Sequence, residues 1–468
     1  MARQNAFTQI GELVVRGGTL VDETGARRGD VLVRDGRILA VEEMIDAPKG
    51  ATVLDAGGCV VAPGLVDLHA HLREPGGEIA ETVESGSRAA ALGGYTAVVA
   101  MPNTEPAIDS AAVARDVLAL GEEALAEIAV AGAITVGRHG ERLVPMAELA
   151  ALGVRLFTDD GRGVQHAGLM RRALEYASGL GVVLAQHCED EQLAAGGQMN
   201  EGAWSSRLGI AGQSALVEEA MLARDIALVR LTGAPMHFLH LSTAGAIEMI
   251  RQAKADGLAV TAEVTPHHLA LCDAAVASFD PVYKVNPPLR TAFDVAAIRA
   301  GLWNGVVDAI ATDHAPHPPE RKEDPFEEAP AGMLGLETAL AVAHSALCAS
   351  PEESGDGAGP GWVPRVEGTA MSMRVLFGLF SWQPARIAGL DQDGRGTRGE
   401  RGGQGGPIRP GVAANLTVFD PTAEWVVDSS RQASRSRNTP YAGRRLIGKV
   451  RHTVFAGEVV VRDGAPQR

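Results

Sequence analysis

The segment GLVDLHAHLR, residues 64–73, combines a short apolar run with two histidines, His69 and His71, that stand two positions apart. Successive residues of a β-strand point to opposite faces, so these two imidazoles point to the same side of the strand. Imidazole nitrogen is a good zinc ligand, and two such groups aimed at one point are typical of a metal site. The segment therefore predicts a strand that places metal ligands at its end.

Seven further apolar segments follow, each ahead of a stretch rich in Ala, Leu, Glu and Arg that predicts a helix. They are YTAVVAMPNT (95–104), EIAVAGAITVG (127–137), VRLFTDDG (154–161), VVLAQHCED (182–190), MHFLHLST (236–243), LAVTAEVTPHH (258–268) and VVDAIATDHAPH (306–317). Eight strands that alternate with helices predict an α/β fold of the TIM-type (β/α)8 barrel class. A doubly wound open sheet is the alternative, but no glycine-rich phosphate loop follows the first strand.

Both ends of the chain have a different texture, in which branched apolar residues alternate or cluster between Gly and Asp. The segments with this pattern are 11–22, 29–43 and 51–64 near the start and 414–428 and 449–464 near the end. Such patterns are typical of short β-strands with turns. We expect the two ends to meet in one small β-sandwich domain.

These patterns divide the chain into a central barrel domain and a domain built from both ends. The expected boundaries are 1–60 and 411–468 for the β-sandwich, 61–390 for the barrel and 391–410 for a Gly-rich linker or insertion. A second stretch rich in Gly, Pro and charge, 349–362, also looks like an insertion. Flexible linkers or surface loops are the expected structure of both stretches.

Composition excludes several classes of protein. The chain of 468 residues has a net charge of −16, and no Lys/Arg cluster long enough to indicate a nucleic-acid partner. No apolar run approaches the roughly 18 residues of a transmembrane helix, so no membrane association is expected. The four cysteines form no CxxC pair, which favours reduced thiols and a cytoplasmic protein. An anionic small-molecule substrate would need local basic residues in its pocket.

Histidine and aspartate side chains also stand at the ends of other predicted strands. They are Asp159 and Asp160, His187, His240, and Asp313 with His314 and His317. Catalytic residues collect at the C-terminal face of a barrel, so we expect a metal site on that face. His267 and His268 end a predicted strand too, and either could approach the site.

Lysine placement bears on how two metals would be bridged, because some two-metal hydrolases use a carboxylated lysine. The five lysines stand at positions 49, 254, 284, 322 and 449, so none ends the fourth predicted strand. The pair Asp159–Asp160 stands there instead, and an aspartate carboxylate can bridge two metals directly. The residues alone leave Asp159 and Asp160 as alternatives for that bridge.

The chain resembles the bacterial type I dihydroorotases of the amidohydrolase superfamily. The stretches that carry the resemblance are VDLHAHLREPGGE (66–78), GGYTAVVAMPNTEPAID (93–109), FTDDGRGV (157–164), AQHCEDEQL (185–193), HLSTAGAIE (240–248), TAEVTPHHL (261–269), YKVNPPLR (283–290), ATDHAPH (311–317) and NTPYAG (438–443). Two features depart from the family pattern. This chain reads PAG at 330–332 where relatives usually read PFG, and the Gly-rich insertion is atypical.

The resemblance implies two zinc ions per subunit, a general acid/base and a set of substrate contacts. The implied metal ligands are His69 and His71 for the first zinc, His187 and His240 for the second, Asp160 as the bridge, and Asp313 as a further contact of the first zinc. Asp313 is also the implied general acid/base. The implied substrate contacts are Arg73, Asn103 and His317 for a carboxylate, and Asn286, Ala331 and Gly332 for the ring. The alternative for Arg73 is a surface arginine paired with Glu74 or Glu78.

The implied reaction is the reversible, zinc-dependent cyclisation of N-carbamoyl-L-aspartate to L-dihydroorotate, a step of pyrimidine biosynthesis. One alternative is a cyclic amidohydrolase of the hydantoinase or allantoinase type, although those relatives typically use the carboxylated lysine. Another is a non-catalytic, dihydroorotase-like partner of aspartate transcarbamoylase. We also expect a homo-oligomer, and the family allows association of an active chain with the transcarbamoylase.

Overall fold

The computed structural model describes residues 11–349, 359–366, 368–392 and 403–468. The first ten residues, most of the predicted insertion at 349–362 and half of the predicted linker at 391–410 lie outside the described residues. The strands are β1 (Leu13–Asp22), β2 (Gly25–Arg34), β3 (Arg37–Glu42), β4 (Thr52–Asp55), β5 (Val60–Pro63), β6 (Leu65–Ala70), β7 (Tyr95–Ala100), β8 (Glu127–Val130), β9 (Leu156–Phe157), β10 (Val183–Gln186), β11 (Met199–Asn200), β12 (Gly212–Gln213), β13 (Met236–Phe238), β14 (Val260–Val264), β15 (Ala309–Ile310), β16 (Leu416–Val426), β17 (Arg445–Phe455), β18 (Glu458–Arg462) and β19 (Ala465–Pro466).

Strands from the two chain ends are hydrogen-bonded into one sheet, in the order β19-β18-β17-β16-β5-β1-β2-β3, with β4 paired to β1. The ends are joined by the antiparallel pair β5 and β16, in which Val61 lies opposite Val418. Residues of both ends, among them Leu13, Val33 and Leu416, share one buried apolar cluster. The prediction that the ends build one β-structure is confirmed. A sandwich implies two sheets, whereas hydrogen bonding here runs through every strand, with irregular register in β1 and β16 of the kind that bends a sheet.

Each of the eight strand segments predicted for the middle of the chain contains a parallel strand. β6, β7 and β8 form one sheet, and β9, β10, β13, β14 and β15 form another. Isolated parallel bridges connect the two sheets on both sides, Gly132 with Phe157 and Ala70 with His314. The strands are shorter than the predicted segments, so most candidate site residues lie in the loops directly after them.

A buried aspartate stabilises one of these two connections. The Oδ1 atom of Asp67, in β6, accepts a hydrogen bond from the backbone N–H of Thr312 at 2.9 Å, and Oδ2 accepts from the Thr312 hydroxyl at 2.5 Å. Burial raises the pKa of Asp67 to about 7. These side-chain bonds supplement the sparse backbone pairing between β6 and the segment after β15.

Alternation along the parallel strands produces an apolar interior. Val66 and Leu68 of β6 and Ala97 and Val99 of β7 belong to one buried cluster, as residues two apart on a strand should. The larger cluster, which includes Tyr95, packs the strands against the surrounding helices. Because the buried side chains of the parallel strands are mostly apolar, the polar candidate site residues lie mainly in the loops at the carboxyl ends of the strands.

Helices connect the strands. They are α1 (Val83–Leu92), α2 (Ala111–Leu120), α3 (Met146–Ala151), α4 (Ala167–Leu180), α5 (Glu191–Ala194), α6 (Ala203–Leu208), α7 (Leu216–Thr232), α8 (Ala244–Ala255), α9 (Pro266–Ala270), α10 (Ala292–Trp303), α11 (Pro319–Lys322), α12 (Ala339–Leu347), α13 (Met373–Phe380) and α14 (Trp382–Ile387). Threonine side chains cap the starts of α1, α8 and α10, because Thr82, Thr243 and Thr291 each accept a backbone N–H of the first turn. In the described part of the chain, no helix combines the length and apolar character needed to cross a bilayer.

Gln404 belongs to the predicted linker but is fully buried. Its amide oxygen accepts a hydrogen bond from Thr96 Oγ1 at 2.7 Å, and its amide nitrogen donates to Glu127 Oε2 at 2.8 Å. Thr96 and Glu127 stand at the starts of β7 and β8. The described end of this stretch therefore packs against the amino ends of the parallel strands and is not exposed throughout, as a flexible linker would be.

Candidate metal centre and active site

The two histidines of the first parallel strand face the same carboxylate. The Nε2 atoms of His69 and His71 lie 3.4 and 3.5 Å from Oδ2 of Asp160, which follows β9. All three side chains are buried. Together these residues form a group that could hold a metal ion.

A second pair of histidines faces the other oxygen of the same carboxylate. Nδ1 of His187, after β10, and Nε2 of His240, after β13, both lie 3.5 Å from Oδ1 of Asp160. The two imidazole nitrogens are 2.9 Å apart. Asp160, His187 and His240 form a second group that could hold a metal ion, so one carboxylate connects two candidate sites.

The neighbouring aspartate has a different environment. Oδ1 of Asp159 accepts backbone N–H groups of Ile134 at 2.8 Å and Thr135 at 3.0 Å, and Oδ2 accepts the Thr135 hydroxyl. These bonds use both carboxylate oxygens for holding the loop after β8. The geometry therefore favours Asp160 over Asp159 as the group between the histidine pairs.

The distances between the Asp160 oxygens and the four imidazoles fit metal ions better than direct hydrogen bonds. A tetrahedral zinc ion with ligands at about 2.0–2.2 Å separates neighbouring ligand atoms by about 3.3–3.6 Å. The distances of 3.4–3.5 Å between the carboxylate oxygens and the imidazoles match that separation. Nε2 of His69 is also buried without a hydrogen-bond partner in the described part of the chain, which is expected of a nitrogen that binds a metal.

None of the lysines contacts this group. The ammonium of Lys254 pairs with Asp308 at 2.7 Å, Lys284 and Lys322 donate to backbone carbonyls, and Lys449 lies over the Trp425 ring. Lys49 is exposed. The sequence has no lysine at the end of the fourth strand, and the structure brings no lysine from elsewhere in the described chain into contact with this group.

Asp313 lies beside the first histidine pair. Its Oδ1 atom is 3.1 Å from Nε2 of His71 and 3.5 Å from Nε2 of His69. Its φ angle of +44°, uncommon for a residue other than glycine, turns the backbone directly after β15. Burial alone would raise the pKa of Asp313, but the adjacent imidazoles of His69 and His71 outweigh it and hold the pKa well below the usual range.

Arg73 lies at the edge of this cluster, three residues after β6. Its Nε donates to the carbonyl of Pro316 at 3.1 Å, and no carboxylate lies within ion-pair distance of it in the described part of the chain. Glu74 and Glu78 instead accept backbone N–H groups of Val83 and Gly76, so the surface-pair alternative is wrong. Burial lowers the pKa of Arg73 to about 10, so the guanidinium is still protonated at neutral pH.

Three more of the predicted substrate contacts, Asn103, Asn286 and His317, form hydrogen bonds with residues near the candidate metal ligands. Asn103 Oδ1 lies 2.9 Å from Nδ1 of His71, and Asn286 Nδ2 donates to Glu189 at 2.5 Å. Nε2 of His317 donates to the carbonyl of Ala331 at 2.8 Å. Burial lowers the pKa of His317 to about 3, so this imidazole is neutral at physiological pH.

Gly332 follows Ala331 in the same loop and donates its N–H to the carbonyl of Lys284 at 2.9 Å.

His267 and His268 differ in their bonding. His268 is fully bonded, to Thr265 and to the Pro287 carbonyl, whereas Nε2 of His267 is buried without a partner in the described part of the chain. Of these two histidines, His267 is the one with an unbonded ring nitrogen among the described residues.

Sequence comparison with known proteins identifies the family of this chain. A family model described as Dihydro-orotase-like matches residues 58–246. A dihydroorotase of Pelotomaculum thermopropionicum is 44% identical, over 97% of this chain and 99% of that protein. The chain belongs to the dihydroorotase family. A dihydroorotase of Mycobacterium tuberculosis is 46% identical, over 93% of this chain and 96% of that protein.

Two solved structures share the fold of this member of the dihydroorotase family. The L-hydantoinase (dihydropyrimidinase) of Arthrobacter aurescens aligns with a TM-score of 0.82 at 24% identity, covering 97% of both chains. The dihydropyrimidinase of Brevibacillus agri aligns with a TM-score of 0.76 at 22% identity, covering 97% of this chain and 96% of that one. At these identities the likeness concerns the fold alone.

Two carboxylates of the site were not singled out from the sequence. Glu263, in β14, lies with Oε1 3.0 Å from Nδ1 of His69 and with Oε2 3.1 Å from Nε2 of His237. Glu189 lies 2.9 Å from Nε2 of His187. The physical signal for Glu263 in the sequence is a charged residue inside a mainly apolar strand segment, which must find a partner when buried.

Glu263→Gln is expected to lower zinc affinity about 10- to 100-fold, the usual effect of removing a carboxylate that orients a metal-binding histidine. The Glu263 carboxylate fixes the Nδ1 proton of His69 and so directs Nε2 toward Asp160. Glutamine retains the size but removes the charge. Burial would raise the pKa of Glu263, but hydrogen bonds from His237 and His69 outweigh it and lower the pKa to about 2, so the carboxylate is ionised at neutral pH.

The measurement is zinc titration of metal-depleted protein. Asp22→Asn is the control because Asp22 is a fully buried carboxylate of β1 that bonds Thr24, Arg27 and Ile408. Unchanged zinc affinity in the Glu263 variant would show that the carboxylate serves packing alone.

Proposed function

We propose that this chain catalyses the reversible cyclisation of N-carbamoyl-L-aspartate to L-dihydroorotate. The observation that carries the proposal is the Asp160 carboxylate between two histidine pairs, with Asp313 beside one of them. The curated relatives that share about 45% of its residues are named dihydroorotases. The reaction opens or closes a cyclic amide, which is chemistry that a metal centre with an adjacent carboxylate can perform.

The metal ions proposed here are two zinc ions. His69 and His71 would hold the first, His187 and His240 the second, and Asp160 would bind both. Imidazole and carboxylate are the ligands of catalytic zinc sites, and Asp313 is close enough to contact the first ion. Zinc bound in this way supplies Lewis acidity and a nucleophile at neutral pH.

Asp313 is proposed to move the proton of the reaction. In ring opening its carboxylate accepts the proton of the attacking nucleophile, and the resulting carboxyl group donates it to the departing amide nitrogen. Ring closure follows the same path in reverse. The low pKa of Asp313 keeps the carboxylate ionised, which is the state that ring opening requires at the start.

Arg73 is proposed to bind the substrate carboxylate, with help from Asn103 and His317. A guanidinium forms paired, charge-assisted hydrogen bonds with a carboxylate, and Arg73 has no carboxylate partner of its own in the described residues. Asn286 and the Ala331–Gly332 backbone are proposed to contact the ring. Because Ala331 replaces the family's aromatic residue, its side chain offers only a methyl group there.

We further infer that the eight parallel strands close into a (β/α)8 barrel within residues 61–390. The parallel bridges between the two sheets on both sides support closure. Residues 1–60 and 411–468 would then form the second domain, with 391–410 between the two. The C-terminal face of such a barrel is where the proposed site residues would meet.

Rival functions are distinguished by particular residues. A hydantoinase or allantoinase of the usual type needs a carboxylated lysine, for which this chain has Asp160. A silent partner of aspartate transcarbamoylase would tolerate loss of metal ligands. In this chain the four proposed histidine ligands and Asp313 all lie around Asp160. A cytoplasmic location, a homo-oligomer and association with the transcarbamoylase remain predictions.

Removal of metal is expected to abolish turnover of dihydroorotate, and added zinc to restore it. The reason is that Asp313 and Arg73 position a proton and a substrate but supply no nucleophile. The measurement is turnover and metal content on the same sample before chelation, after chelation and after addition of zinc. Full activity in protein shown to be metal-free would overturn the metal-dependent mechanism.

A further inference from the structure

The segment 433–439, between β16 and β17, leaves the chain-end sheet and lies on the loops that follow β6 and β15. The N–H of Ala433 donates to Glu337 Oε1 at 2.7 Å, and the Ser436 hydroxyl donates to the carbonyl of Ala80 at 2.8 Å. The Ser434 hydroxyl donates to Glu81, whose carboxylate also lies 3.2 Å from Nε2 of His314. A segment of the C-terminal part of the chain is thus attached to the loops that carry the proposed site residues.

Asn438 makes the most direct of these attachments. It is 4% exposed. Its Oδ1 accepts the backbone N–H of His317 at 3.2 Å, and its Nδ2 donates to the carbonyls of Ala315 at 2.9 Å and Gly332 at 3.1 Å. One side-chain amide therefore connects the stretch 315–317 to the backbone at Gly332.

The amide of asparagine suits this position because it offers an acceptor and two donors. Aspartate would present oxygen to the two carbonyls, and alanine would leave all three backbone groups without this partner. Buried backbone groups without partners are costly, so the loop would rearrange.

The connected backbone is closely packed around Gly332. Gly332 has a φ of +143°, which side chains other than glycine rarely adopt, and a Cβ there would lie 2.8 Å from His317 Nε2 and from Ala315 Cβ. His317 in turn donates to the carbonyl of Ala331. His317 and the Ala331–Gly332 backbone thus form one unit, and the Asn438 side chain bonds the backbone of both parts.

We propose that Asn438 is a positioning residue for the substrate. It sets the spacing between His317 and the Ala331–Gly332 backbone, two of the proposed substrate contacts, without touching the substrate itself. This inference rests on the proposed function. It also gives the chain-end part of the molecule a role in substrate binding, which matters more here because Ala331 lacks the aromatic side chain of the family.

The test compares Asn438→Ala and Asn438→Asp with Asn415→Ala. Asn415 is the matched control: it is 3% exposed and its side chain bonds backbone groups of Ala456 and Gly403, away from the site loops. Steady-state kinetics with dihydroorotate, metal content and the thermal transition are measured for each protein. The Asp variant has the size of asparagine, and it serves if the Ala variant does not fold.

Both Asn438 variants are expected to raise KM for dihydroorotate about tenfold or more while kcat changes less than about threefold and metal content is unchanged, because a misplaced binding contact affects substrate affinity first. Asn415→Ala is expected to lower the thermal transition without changing KM. An unchanged KM in a folded Asn438 variant, or a loss of kcat and metal together, would overturn the positioning role. Absence of turnover in the unsubstituted protein would instead overturn the proposed function.

Discussion

Replacing Asp313 with asparagine is expected to lower kcat for dihydroorotate ring opening by about 10²- to 10⁴-fold, the contribution typical of a positioned acid/base. Asparagine has nearly the same shape but cannot accept the proton that the departing nitrogen needs. The pKa of Asp313 lies well below the usual range, so the native carboxylate is ionised throughout the neutral region. The loss should therefore persist across neutral pH.

The control for this variant is Asp308→Asn. Asp308 immediately precedes β15, at the opposite end of the strand from Asp313, and pairs with Lys254. It should have nearly normal turnover, because removal of a partly exposed ion pair costs little. Metal content must be measured on the same samples, since Asp313 is close enough to His69 and His71 to share the ion proposed for them. Near-normal turnover of the Asp313 variant with metal bound would refute the acid/base role.

Replacing Arg73 with methionine is expected to lower kcat/KM for dihydroorotate by about 10²- to 10³-fold, because an anionic group would be left without its buried cationic partner. The overall charge of −16 offers no general attraction for an anion. Activity on dihydrouracil, a ring without the carboxylate, should be low already and change little. Metal content should be unchanged, since Arg73 is not among the proposed ligands.

A surface arginine provides the control. Arg171 on α4 pairs with Glu175 at 2.8 Å and is about half exposed, so Arg171→Met should leave both activities unchanged. Equal fractional losses on dihydroorotate and dihydrouracil in the Arg73 variant would contradict a role in carboxylate binding. They would show that Arg73 supports the loop or the metal cluster.

The cluster of candidate metal ligands could be predicted because it follows from local rules. His69 and His71 share a side of a strand, and the other candidate ligands all follow apolar segments, so a fold of parallel strands brings them together. The choice of Asp160 over Asp159 needed the resemblance, because two adjacent aspartates look alike until their neighbours are known. In the structure, Asp159 bonds the loop at Thr135 and Asp160 faces the histidines.

Residues that position the site could not be predicted in the same way. Glu263 orients His69 across 194 positions of sequence, and Asn438 holds Gly332 across 106. Both residues lie in stretches that carry the family resemblance, 261–269 and 438–443, but neither stretch shows what the residue contacts, because each acts through a partner that only the folded chain brings near. The buried position of Gln404 was missed for the same reason, because a Gly-rich composition indicates a loop but not what the loop packs against.

The measurement that tests the account most directly is the ratio of kcat/KM for dihydroorotate to that for dihydrouracil, with purified chain of known zinc content. The proposed carboxylate contact at Arg73 predicts a large preference for dihydroorotate, and the proposed metal cluster around Asp160 predicts that turnover is lost on removal of metal. Higher activity on dihydrouracil than on dihydroorotate, or no turnover of dihydroorotate by the zinc-loaded chain, would contradict the account.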